Sequence, residues 1–130
     1  MKKKVVIISV AVVTLMFGYF SFVRISEKAS GTIRYMYENS VVETEISRDD
    51  MKTVEKILDG KFIDVFMLPA CGYSEDTALI IGGNTFCVAC DACGTVYYKE
   101  RRGYLQLNDE ENRALRSLFK KYGCLDILMG

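Results

Sequence analysis

Histidine and tryptophan are absent from the 130 residues, and proline occurs once. Without histidine, Ser-His-Asp triads, zincin-type metal sites and most general-base schemes near neutral pH lose the residue they depend on. One proline and 10 glycines exclude a collagen-like, proline-rich or linker-like chain. Excess charge is missing as well, since 17 basic residues balance 17 acidic ones. The balance is uneven along the chain. Lys2, Lys3, Lys4, Arg24 and Lys28 face only Glu27 before Ala29, which leaves the rest net acidic. A mildly acidic body has no electrostatic footprint for nucleic acid.

What the chain does have is apolar residues, 50% of the total, and a long apolar run near its start. The run from Val5 to Val23, VVIISVAVVTLMFGYFSFV, carries no charge. As a helix it would be roughly 28 Å long, close to the hydrocarbon thickness of a bilayer. A soluble core helix would show a polar face, and this run has none. A signal peptide has a shorter apolar region with a small-x-small site directly after it. Here the one such site, Ala29-Ser30-Gly31, lies well past the apolar end, and no cysteine follows closely enough for lipoprotein processing. Residues 1–24 are therefore expected to be an uncleaved, single-pass signal anchor in the cell membrane. The positive-inside rule, applied to Lys2, Lys3, Lys4 and the terminal amine, keeps the N-terminus in the cytoplasm and puts the C-terminal domain outside.

Residues 25–31 (ISEKASG) read as a polar tether, and residues 32–130 as one α+β domain. Alternation of Ile33, Tyr35 and Tyr37 with Arg34, Met36 and Glu38 predicts a half-buried strand. Asn39-Ser40 turns it into a second strand over 41–46. Ser47 caps a helix over 48–59 with Met51, Val54, Ile57 and Leu58 on one side and Gly60 as its stop. Residues 61–68 read as another strand, ended by Pro69. Gly82-Gly83-Asn84 joins strands 77–81 and 85–90 as a hairpin. A strand at 95–100, a turn at Arg101-Arg102-Gly103 and a strand at 104–107 close a meander. Asn108 with Glu111 caps a last helix over 109–122, with Leu115, Leu118, Phe119 and Tyr122 as its apolar stripe. The expected architecture is a mostly antiparallel sheet with two amphipathic helices on one face.

Cys71, Cys87, Cys90, Cys93 and Cys124 are the one concentrated chemical signal. Cys87-x-x-Cys90-x-x-Cys93 invites a metal or redox reading, but strand alternation points Cys87 and Cys90 to opposite faces. Zinc ribbons need two independent cysteine pairs, whereas Cys90 would be shared. A four-thiolate site would need Cys71 and Cys124 to join Cys90 and Cys93. A redox Cys-x-x-Cys starts a helix, while Cys90-Asp91-Ala92-Cys93 leads into the strand-like TVYY, and Asp91 would raise a thiol pKa. Outside the cell, structural disulfides among Cys71, Cys90, Cys93 and Cys124 account for four of the five, in any of three pairings. Cys87, between Phe86 and Val88, is then a buried leftover.

Acids at 49–50 and 109–111 fall in helix first turns, where the helix dipole explains them without catalysis. Tyr97, Tyr98, Arg101, Arg102 and Tyr104 cluster around one hairpin tip, the composition of a contact surface. No catalytic, cofactor-binding or metal-ligating residue is assigned.

The strings Cys71-Gly72-Tyr73-Ser74-Glu75-Asp76 and Val88-Ala89-Cys90-Asp91-Ala92-Cys93, followed by a capped helix ending Lys121-Tyr122-Gly123, resemble small membrane-anchored exported proteins of Gram-positive bacteria. That resemblance covers residues 47–124 and implies no activity. Ala92 stands where the pattern has glycine, so a tight two-residue turn there does not follow from it. The functional expectation is a membrane-tethered extracytoplasmic interaction or accessory domain, without catalysis and with a protein partner on the outer face. The alternative is a thiol-based redox or metal-binding protein working through Cys90 and Cys93.

Overall fold

The computed structural model describes residues 2–66, 73–89 and 94–124. In chain order it shows α1 (Lys2–Phe20), β1 (Gly31–Tyr37), β2 (Ser40–Glu45), α2 (Arg48–Leu58), β3 (Ala78–Ile81), β4 (Asn84–Val88), β5 (Thr95–Tyr98), a 3-10 turn (Lys99–Arg101), β6 (Gly103–Gln106) and α3 (Asp109–Lys121). The strands form one six-stranded antiparallel sheet in the order β2-β1-β3-β4-β5-β6. Two hairpins use two-residue turns with both residues in the left-handed region, Glu38 (φ 47°) with Asn39 (φ 64°) and Gly82 (φ 56°) with Gly83 (φ 82°). Such turns match the right-handed twist of the strands they join. The first turn falls one residue earlier than Asn39-Ser40 because Tyr37 pairs with Ser40.

One sheet face carries Ile33, Leu79, Phe86 and Tyr98 in register, and the Phe86 and Tyr98 rings lie 4.5 Å apart. Met51, Val54, Ile57 and Leu58 of α2 and Leu115, Leu118 and Phe119 of α3 pack with this face in a single core. The expected α+β layering is thus present, with both helices on one side. Each helix begins at its expected cap. Ser47 accepts from the Asp50 N–H, and Asn108 and Glu111 form a reciprocal capping box.

Asp50, expected only as a first-turn acid, also ties α2 to the end of α3. Its carboxylate accepts from the Tyr122 hydroxyl at 2.7 Å, from Lys121 Nζ at 2.9 Å and from Ser47 Oγ at 2.9 Å. The Tyr122 and Lys121 bonds, with help from Ser47, hold the Asp50 carboxyl below its ordinary value of 3.8 despite some desolvation. A depressed folded pKa contributes stability that is present above the unfolded value and lost as pH falls through the folded one. Denaturation midpoints measured over a pH series should therefore fall below about pH 4. Asp50→Asn should lower the midpoint at neutral pH and flatten that acid limb.

Three stretches depart from the sequence reading. Ser21, Phe22 and Val23, assigned to the membrane segment, belong to the domain. Val23 N–H donates to Lys61 O, Gly60 N–H to Val23 O and Ile63 N–H to Ser21 O, and Val23 is 1% exposed. The expected tether at 25–31 is docked at both ends, because Ile25 is buried with its N–H on Asp59 Oδ1 and Gly31 opens β1. The expected strand at 61–68 is reduced, over its described part, to isolated bridges, Phe22 with Phe62 and Asp64 with Tyr104. In each case the pairing partner is distant in sequence, so no local pattern encodes it. Among the described residues no helix is long and apolar enough to cross a membrane. The apolar side chains described in α1 run from Val5 to Phe17, roughly 20 Å at about 1.5 Å per residue.

Candidate functional site

Direct cross-strand partners define the face of the sheet that the helices leave uncovered. Glu43, Arg34, Ala78, Cys87, Tyr97 and Tyr104 follow one another from β2 across to β6. Residues 73–76 lie against this row. Tyr73 donates its hydroxyl to Thr95 O at 2.9 Å, Arg34 Nη1 reaches Glu75 O, and Lys99 pairs with Glu75 at 2.9 Å. The rings of Tyr73, Tyr97 and Tyr104 meet with centroids 5.0–6.0 Å apart. Cys87, under this covering, is a free thiol 1% exposed. Burial, reinforced by Glu75 and Glu100, pushes its pKa up to about 11. A thiol that keeps its proton at neutral pH is a poor nucleophile and a poor metal ligand.

The five residues expected to form one contact surface are divided by the sheet. Tyr98 is 8% exposed and packs its ring, tilted by 50°, against Phe86 in the core. Tyr97 and Tyr104 point to the opposite face and are partly covered by Tyr73. Arg102 is exposed in a left-handed conformation (φ 50°), and Arg101 turns toward the chain entry at Ser21 and Phe62. Strand alternation at 97–98 puts Tyr97 and Tyr98 on opposite faces of the sheet.

Of the disulfide candidates, Cys71, Cys90 and Cys93 lie outside the described residues. Cys124 is buried in the core next to Gly123, whose positive φ of 107° ends α3, and its N–H donates to Phe119 O. Among the described residues no three metal-ligating side chains come together.

Ala89 and Gly94, on either side of residues 90–93, are hydrogen-bonded to Arg116 of α3 and to Leu107, just after β6. Arg116 in α3 is fully buried at 0% exposure; its Nε donates to Asn112 Oδ1 at 3.0 Å and its Nη1 to Ala89 O at 3.2 Å. On the other flank, Leu107 N–H donates to Gly94 O at 2.8 Å. On the helix Arg116 lies one turn after Asn112 and beside Phe119, at the edge of the apolar stripe, and that position was the available signal for its burial.

A second constellation surrounds the end of α1. Ser21 and Phe17 share a groove with Phe62, Ile63, Val65, Phe66 and Arg101. Phe22 and Phe62 meet edge to face at 5.8 Å, and Asp64 exchanges both backbone hydrogen bonds with Tyr104 at 2.9 Å. Gly103 makes this approach possible, since a Cβ there would collide with Ile63 Cγ2 and lie 3.4 Å from Asp64 O. Gly103→Ala should therefore cost about 1–3 kcal/mol in chemical denaturation, by forcing Ile63 out of its packed position.

No family model, curated protein or solved structure matches the chain. The likeness to small exported proteins therefore rests on the quoted strings and lends no residue a role.

Proposed function

We propose that the chain is a membrane-anchored accessory module whose α+β domain, outside the cell membrane, binds a protein partner without catalysing a reaction. The observation that supports this reading is the surface of α1. Its large apolar side chains stay exposed along the helix, among them Val5 (63%), Val10 (59%), Leu15 (74%) and Phe17 (73%). A helix that is apolar all round has lipid or other helices as its natural surroundings. The helix continues to Phe20, and Lys2, Lys3 and Lys4 at its other end can snorkel to the headgroups while the bilayer thins locally. With those lysines inside, the domain lies in an oxidising compartment, where two disulfides among Cys71, Cys90, Cys93 and Cys124 stabilise it and leave Cys87 as a thiol. Ser21–Val23 hydrogen bonds fix the domain to the helix end, so a partner would meet it at a set height above the bilayer.

Three measurements test this reading. External protease on intact cells should digest the domain; digestion confined to inverted vesicles would reverse the orientation. Intact mass should show residues 1–31 retained; a mature start near Thr32 would remove the anchor. A thiol count on the denatured, unreduced full chain should find one; three or more would reject the disulfides and favour thiol chemistry at Cys90 and Cys93.

A further inference from the structure

We infer that Phe62, Val65 and Phe66 form a lipid-contact surface that seats the domain on the outer leaflet beside the point where α1 leaves the bilayer. The inference rests on the membrane-anchor reading and adds a second, independent contact to it. Phe62 is 56% exposed, Val65 54% and Phe66 90%, a concentration of apolar surface in one short segment. An exposed apolar cluster of this kind marks an interaction site more often than isolated surface residues do.

Its position identifies the occupant. Phe17 and Ser21, at the end of α1, line the same groove as Phe62, Val65 and Phe66. Phe62 bridges to Phe22, two residues beyond the helix end, and Ile63 is hydrogen-bonded to Ser21. The cluster is thus continuous with the apolar wall of α1 and fixed to it by backbone hydrogen bonds. If α1 is in the hydrocarbon, these side chains reach the headgroup–acyl boundary, where aromatic side chains are favoured. Arg101, which lines the same groove, would put a cation beside the lipid phosphates. Segments that lie in this boundary bury their apolar face about 5–10 Å deep, which the adjoining helix end makes accessible without any rearrangement of the domain.

The absence of tryptophan makes the test direct. Full-length Phe66→Trp and Val10→Trp variants would each be reconstituted into phosphatidylcholine–phosphatidylglycerol vesicles with plain or brominated acyl chains. Phe66 is so exposed that the substitution leaves the core untouched. Emission from position 66 is expected to be blue-shifted, quenched by brominated lipid and shielded from aqueous iodide, and emission from position 10 quenched by brominated lipid. Quenching at position 10 with an iodide-accessible, lipid-insensitive position 66 would overturn the seat while leaving the anchor standing. A lipid-insensitive signal at both positions would overturn the anchor and the seat together.

Discussion

Phe119→Ala is expected to destabilise the full chain by about 3–5 kcal/mol, the usual cost of deleting a fully buried aromatic ring. Phe119 is 0% exposed and packs in the core with Leu115, Leu118 and the sheet residues Ile33, Leu79 and Phe86. Its carbonyl also receives the Cys124 N–H, so the ring sits where α3 ends and the chain turns at Gly123. A loss of that size is a large fraction of the roughly 5–15 kcal/mol available to an average domain. Denaturant titration should show a lower midpoint with an unchanged slope. An unchanged midpoint would mean that α3 does not pack on the sheet.

Arg116→Met should cost about 2–4 kcal/mol even though methionine fills much of the same volume. The substitution leaves Asn112 Oδ1 and Ala89 O without the guanidinium that donates to them, and each buried acceptor left unmade costs roughly 1–3 kcal/mol. Removing the buried charge relieves part of that loss. Arg116→Lys should also destabilise, because an ammonium cannot reproduce the fork that reaches Asn112 and Ala89 together. Denaturant midpoints of the two variants against the parent chain read both effects. A neutral Arg116→Met would show that apolar filling alone is needed at this position.

Much of the domain was legible in the sequence. Ser47 with Asp50 and Asn108 with Glu111 announced both helix starts, and the spacing of Met51, Val54, Leu58 and of Leu115, Leu118, Phe119 announced their buried faces. Gly82-Gly83 announced the β3–β4 hairpin, and alternation at Ile33, Tyr35 announced β1. These features follow from local physics: a cap bonds three residues away, a helix face repeats every three or four residues, and a strand face every two.

The tertiary structure alone decided the rest. An apolar run does not say where its helix ends and the domain core begins, and Val23 joins the core because Gly60 and Lys61 offer it backbone partners. Likewise Asp64 finds Tyr104, Asp50 finds Tyr122, and Arg116 finds Ala89, all across long stretches of chain. Tyr97 and Tyr98 share a composition but not a face, and only the register of β4 and β5 shows which of them enters the core. The sequence by itself determined the elements and their buried stripes, because those are set by neighbours a few residues apart. How the helix joins the domain, which residues cover the second sheet face and where an arginine is buried depended on long-range pairing, which becomes visible once the chain has closed on itself.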